Sequence, residues 1–425
     1  MNWMSRVRKG ARPAAILPVA LAIAASTLHP QMISPHGIPT FPKISAEEQA
    51  GIDDDIAHHL GDVPGDPGPK ANLSGSLDPA AVRAATRKVA DWELKRAEPY
   101  LDQGWTWGVL DTGLMAASRE LRDPRYSNAM LRMAERFHWE LGAEDPKELG
   151  WPANDDQALG QTYLELYFID PKPEKIAPLR KALDGLFGAP MPKIPEWGGD
   201  QFPIWWWWCD TLFMGPGTWT RMAAATHDSK YLDYLDKRWT ETSNALYDQR
   251  YHLYYRDKSF IGKKDPAGRT VFWSRGNGWV IGGLARALEY MPKDYPLRPK
   301  YESQVREMAK ELASIQDPKD GLWHADLFDS ADYPQPELSG STLIAFGMAW
   351  GINHGILDRA TYTPVVAKAW RGMVNEIYAD GRLGNVQQTD GKPDYYMPGS
   401  SYNFGVGGFL LAAEQVAILS ERAGR

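Results

Sequence analysis

Four short segments combine carboxylates, glycine and tryptophan in ways that invite chemistry. In Trp205-Trp206-Trp207-Trp208-Cys209-Asp210-Thr211-Leu212-Phe213-Met214, an aspartate follows four consecutive indoles. Successive side chains point in different directions in any regular backbone, so at least one of these Trp must face a cleft or solvent. Beside such rings Asp210 loses solvation, its pKa rises, and it keeps a proton near neutral pH, as a general acid requires. The alternative is a buried Asp satisfied by a backbone N–H. Trp151-Pro152-Ala153-Asn154-Asp155-Asp156-Gln157 sets two adjacent carboxylates before an apolar periodic run. Asn154 or Asp155 could be a plain N-cap, but two carboxylates exceed what capping needs.

The third segment is Phe272-Trp273-Ser274-Arg275-Gly276-Asn277-Gly278-Trp279. Arg275 offers a planar fork suited to a carboxylate, and Trp279 a face for stacking. Gly276 and Gly278 are expected to open a loop so that both side chains reach a pocket. A structural Arg paired with a helix carboxylate is the alternative. In Pro336-Glu337-Leu338-Ser339-Gly340-Ser341-Thr342, the hydroxyls of Ser339 and Ser341 could bind sugar or carboxylate oxygens, or either could cap a helix.

These segments need helices to position them. Apolar residues recur at helical spacing over roughly 78–97, 107–121, 124–141, 155–168, 174–187, 208–226, 228–246, 275–291, 299–315, 339–356, 361–378 and 404–421. Asp78-Pro79 and Asp123-Pro124 place an acidic cap before a first-turn proline. Twelve helices without a run of alternating strands predict an all-α chain of six helical hairpins closed into an (α/α)6 barrel, with inner helices lining a funnel. An open helical solenoid fits the helix count equally, but no fixed-period repeat supports it.

The chain has 425 residues, a net charge of -7, 18 Trp, 19 Tyr and 12 Phe. The acidic balance argues against nucleic acid as a partner. The Trp either fills a core or stacks on sugar rings. A single cysteine, Cys209, excludes an intrachain disulfide and a Cys-based metal site. The nine His are scattered without metal-ligand spacing, so neither a metal nor another cofactor is expected. His58 and His59 lie in a polar, Asp-rich stretch and are expected to be solvated. Arg6, Arg8, Lys9 and Arg12 precede an apolar run, Ala14 to Ala25. The run is too short to span a bilayer comfortably, so 1–25 reads as a signal peptide that sends the protein to the periplasm, with an uncleaved anchor as the alternative. No later stretch reads as apolar enough for a membrane helix. Residues 26–75, rich in Pro and Asp, read as a tether, and 76–425 as the barrel.

Together, "VFWSRGNGWVIGGLARALEYMP", "WCDTLFM", "NDDQALG", "PELSGSTLIAFGMAWGINHGIL" and "YNFGVGGFLLA" resemble glycoside hydrolase family 105, which is akin to the unsaturated glucuronyl hydrolases of family 88. The resemblance runs from about 78 to 421. It implies an (α/α)6 barrel that removes a terminal 4,5-unsaturated uronic acid from lyase-generated oligosaccharides, such as those of pectin or ulvan, without a metal or nucleotide. It implies Asp210 as general acid and base. Asp155, five residues before Gly160, fits the second essential carboxylate better than Asp156. Trp208, Met214, Arg275 and Trp279 match positions lining the sugar pocket, and Trp107, Ser339 and Ser341 complete the candidate substrate-binding set. One position departs from the pattern: in Leu253-Tyr254-Tyr255-Arg256-Asp257, Arg256 stands where many members carry His, and His252 is offset.

Three other functions compete. An inverting glycosidase would use the same carboxylates on saturated sugars. A binding protein would hold sugar without turnover. A helical-barrel epimerase would require paired pocket His, which the scattered His disfavour.

Overall fold

The computed structural model describes residues 57, 59–142, 155–189 and 205–423. Twelve helices of two or more turns follow one another among them: α1 (Pro79–Ala97), α2 (Trp105–Leu121), α3 (Pro124–Arg136), α4 (Ala158–Ile169), α5 (Ala177–Gly185), α6 (Pro216–Thr226), α7 (Lys230–Leu246), α8 (Ser274–Tyr290), α9 (Arg298–Ser314), α10 (Leu338–Asn353), α11 (Arg359–Asn375) and α12 (Asn403–Ala423). Two-residue strands, Tyr247–Asp248 and Leu253–Tyr254, pair antiparallel between α7 and α8.

Local chemistry starts several helices as expected. Asp78 accepts from the N–H groups of Ala80 and Ala81, and Asp123 accepts from that of Arg125, each with proline at the first helical position. The stretch expected to be one helix over 208–226 is two. A single turn, Thr211–Met214, stops at Gly215, and Pro216 opens α6. Proline has no N–H to continue the ladder.

Packing closes a ring. Each of α2, α4, α6, α8, α10 and α12 packs on the next, and α12 returns to α2, while α1, α3, α7, α9 and α11 pack outside. The sequence reflects the two layers. All of α10 is buried, whereas outer α3 buries Tyr126, Ala129, Met130, Met133 and Ala134, a one-sided stripe. The stretch Asn403–Arg422 is long and apolar enough to cross a membrane, contrary to the sequence reading. Of the residues in its 18-residue apolar window, however, 89% are buried in the protein, and it is a core helix of the ring.

Each hairpin runs up outside and down inside, so the six inner N-termini share one end. The other end is closed by charge. Glu165 on α4 pairs with Arg119, Arg221 and Arg286, and Glu289 and Glu414 complete the group. The described part of the N-terminal segment lies along the barrel. Asp62 and Ser401 exchange backbone hydrogen bonds, and Ala71 N–H donates to Ile377. His59, expected to be solvated, is 5% exposed, with Nδ1 3.1 Å from Thr106 Oγ1. Residues 1–56 and His58 lie outside the described residues, and so does the predicted signal peptide.

Candidate active site

The segments singled out in the sequence meet at the inner-helix N-termini. Backbone N–H groups without intrahelical partners, and the positive ends of the helix dipoles, gather there, which favours an anionic ligand. Asp155 lies in a 3-10 turn, Asp155–Gln157, leading into α4. Asp210 stands immediately before the turn Thr211–Met214. Trp208 joins the two carboxylate segments, its Nε1 donating to Asp155 Oδ1 at 3.1 Å. Asp156 is buried, whereas Asp155 is half-buried, which suits Asp155 better to meet a ligand. Trp151 to Asn154 fall outside the described residues.

Asp210 makes no capping hydrogen bond to the turn it opens. Cys209 Sγ donates to its Oδ2 at 3.6 Å, and Arg256 Nε lies 3.7 Å from the same oxygen. Burial pushes the Asp210 carboxyl above the ordinary carboxylate range, against the pull of Arg256 and then Arg275. Burial thus favours the protonated form of a side chain that is still 15% exposed. The Trp run divides as its spacing requires: Trp205 and Trp206 are buried, while Trp207 and Trp208 are half-buried and meet edge to face at 4.9 Å.

Arg275 is placed differently from the sequence reading. It lies in the first turn of α8, not on an open loop. Gly278 serves helix packing, since a Cβ there would come 2.9 Å from the Gly340 carbonyl oxygen of α10. Arg275 Nη1 donates to Ser339 Oγ and the Gln387 carbonyl, and Nη2 to the carbonyls of Gln388 and Asp390. The cap of α10 is neither serine but Glu337, which accepts from the N–H groups of Ser339 and Gly340. Ser339 Oγ also donates to Glu337. Ser341, a candidate sugar contact, is spent on the backbone of Trp323: its Oγ accepts from the N–H at 2.9 Å and donates to the carbonyl at 3.1 Å.

Met214 and Trp279 are buried at 1% and 0% exposure, and Trp279 packs on Phe213 at 5.0 Å. Trp107 is 2% exposed. Trp105, which the sequence reading missed, is half-buried, edge-on to Trp279 at 6.1 Å and tilted on Phe404 at 5.5 Å. Two residues along a helix is about 200° around its axis, so Trp105 and Trp107 cannot face the same way. Its place at the first position of α2 was the available signal.

Asp317, Asp320 and His324 form a grouping that the scattered His had not suggested, with ligand atoms within 4.8 Å of one another. Both ring nitrogens of His324 already face acceptors: Nδ1 meets the Tyr333 carbonyl at 2.6 Å and Nε2 meets Asp320 at 3.0 Å. Burial is the largest single effect and opposes its charge, but the bond and charge of Asp320, the Tyr333 carbonyl and Asp317 together raise the His324 pKa.

A closed ring of six helical hairpins, with two carboxylates, an arginine pair and indoles at one mouth, defines a helical-barrel glycoside hydrolase. The chain belongs to glycosyl hydrolase family 88, whose profile matches residues 80–419. Among curated proteins it is 36% identical over 362 residues to an unsaturated 3S-rhamnoglycuronyl hydrolase of Formosa agariphila, covering 81% of this chain and 93% of that one. An enzyme of the same name from Alteromonas sp. (strain LOR) is 31% identical over 338 residues, covering 77% and 80%. Among solved structures, a family 88 glycosyl hydrolase from Bacteroides vulgatus superposes with a TM-score of 0.74 at 28% identity, covering 80% of this chain and 99% of that chain.

Proposed function

We propose that this enzyme removes a terminal 4,5-unsaturated uronic acid from a short oligosaccharide in which the next sugar is a sulfated rhamnose. Asp210, half-buried, with its pKa raised by burial and Arg256 3.7 Å away, carries the reading, because it offers an acid where an anionic sugar is welcome. The similarity to the two rhamnoglycuronyl hydrolases supports the choice of sugars.

In the proposed reaction Asp210 gives its proton to C4 of the enol ether, and positive charge develops at C5 and the ring oxygen. Water adds at C5 and returns a proton to Asp210. The C5 hemiketal then opens by breaking its bond to the ring oxygen, which leaves a ketone at C5 and a hemiacetal at C1, and collapse of that hemiacetal to an aldehyde breaks the glycosidic link and frees the second sugar. Asp155, fixed by Trp208, orients the water. Trp208, Trp279, Met214, Arg275, Trp107 and Ser339 shape the pocket around the sugar, with no metal or nucleotide. We also propose export to the periplasm, on the basic and apolar pattern of residues 6–25. An intact mass for the exported protein that begins after about residue 25 supports this, and retention of Met1 contradicts it.

A panel of lyase-generated disaccharides tests the activity, with loss of the enol-uronate absorbance near ~235 nm as the readout. Turnover of the rhamnose-linked, sulfated member is the expected result. Turnover of saturated glycosides alone points to the inverting-glycosidase mechanism, and binding without turnover to a lectin-like role.

A further inference from the structure

We infer that Arg256, rather than Arg275, is the receptor for the carboxylate of the unsaturated uronic acid, an inference that rests on the substrate class proposed above. Arg275 has no terminal donor left to give, and its Nε, though unbonded among the described residues, is enclosed on a residue only 1% exposed. Each Nη carries two hydrogens, and its two Nη atoms already serve four acceptors: Ser339 Oγ and the carbonyls of Gln387, Gln388 and Asp390. This arginine instead holds the 387–390 loop on α8.

Arg256 is held but not spent. Its Nη1 pairs with Asp257 at 2.6 Å, and its guanidinium lies 5.4 Å from the Trp208 ring centroid. Gly391 closes on its outer face, where a Cβ would come 2.8 Å from Arg256 Cζ. Its Nε is buried, makes no hydrogen bond among the described residues, and lies 3.7 Å from Asp210 Oδ2, beyond hydrogen-bond reach. The side chain is 21% exposed although Nε itself is enclosed, so a ligand meets the guanidinium at Nη2, which bonds to none of the described residues.

The chemistry fixes where a carboxylate receptor has to be. Asp210 protonates C4, and the carboxylate hangs on C5, the adjacent carbon. Its receptor must therefore stand within a few ångströms of Asp210 with a terminal donor that a ligand can reach, and Arg256 meets both conditions. Asp210 is faced by Arg256, by Arg275 from α8 and by the Cys209 thiol. A uronate seated on Arg256 offsets the nearer of the two positive fields. The substrate thus helps its own acid to keep the proton that it will deliver.

The test compares an unsaturated disaccharide as free acid and as methyl ester, on wild type, Arg256→Gln and Arg256→Lys. Wild type should prefer the free acid by about 10–100-fold in kcat/KM, the worth of a charge-assisted hydrogen bond. Arg256→Gln should lose most of that preference, mainly through KM, and Arg256→Lys should keep part of it, having charge without the fork. Thermal melting separates this from misfolding. If Arg256→Gln does not fold, Arg256→Lys and Gly391→Ala carry the comparison, since each displaces or replaces the guanidinium. A folded variant with the wild-type acid-to-ester ratio overturns the assignment. A wild type inert on every unsaturated disaccharide overturns the proposed function instead, so the two failures are distinct.

Discussion

The indole N–H of Trp208 donates to Asp155 Oδ1 at 3.1 Å, tying the segment that carries Asp210 to the turn that opens α4. One hydrogen bond thus sets the spacing of two carboxyls from distant parts of the chain. Trp208→Phe keeps a ring but deletes the donor, so it should lower kcat by about 10-fold with a smaller change in KM, as expected for a net loss near 1.5 kcal/mol. Asp155→Asn should lose most activity, and Asp156→Asn less, because only Asp155 is bound to Trp208. Equal losses for the two asparagine variants in steady-state assays contradict this assignment.

Asp210→Asn should cost about 10²–10⁴-fold in kcat, toward the upper end, because one group acts as acid and then as base. Wild-type activity should fall as pH rises through the Asp210 pKa. The stability sign is the reverse of the usual carboxylate. With its folded pKa raised, Asp210 contributes stability below its unfolded pKa, and this is lost as pH rises through the folded value. The variant should therefore melt no lower than wild type at neutral pH, with any gap closing toward acid pH. Calorimetry across that range, alongside the rate assay, checks both statements, and near wild-type turnover would sink the mechanism.

Arg275→Lys keeps the charge but cannot hold four acceptors on one planar group. Release of the 387–390 loop should raise KM by about 10-fold, the worth of one or two net hydrogen bonds, and make that loop more sensitive to protease. Unchanged KM with a collapsed kcat would place Arg275 in the chemistry instead.

Glu165 closes the base of the barrel. Burial alone would raise its pKa, but attraction to Arg286, Arg119 and Arg221 wins and holds it below the ordinary range. Its contribution to stability is present above its unfolded pKa and lost as pH falls through the folded one. Glu165→Gln strands buried Arg221 and Arg286 and should cost about 3–5 kcal/mol. At 1.5 Å per residue, Arg275 and Arg286 stand about 16 Å apart along α8. A large drop in Tm with unchanged kcat at low temperature is therefore expected, and a loss of kcat at full folding would tie this network to the active site.

Chelation should leave activity untouched, since both ring nitrogens of His324 already face protein oxygens and the four singled-out segments hold no His/Cys ligand set. Activity that vanishes with a chelator and returns with a divalent ion contradicts this.

Helices, caps and the four chemical segments were legible in the sequence because their causes are local. The cap of Asp78 reaches two and three residues ahead, and an apolar stripe repeats every turn. The break at Pro216 was local too and could have been read from the proline. What tertiary structure decided was which donors remain free. Arg275 is consumed by carbonyls 112, 113 and 115 residues away, and no spacing rule announces that. His59 is buried by a contact to Thr106, 47 residues distant. Trp105 meets Trp279 through a rotation of α2 that its neighbours in the ring set. A sequence states which groups can bond. Only closure of the barrel, by choosing partners across the chain, spends both terminal nitrogens of Arg275 and leaves Arg256 part-exposed beside Asp210.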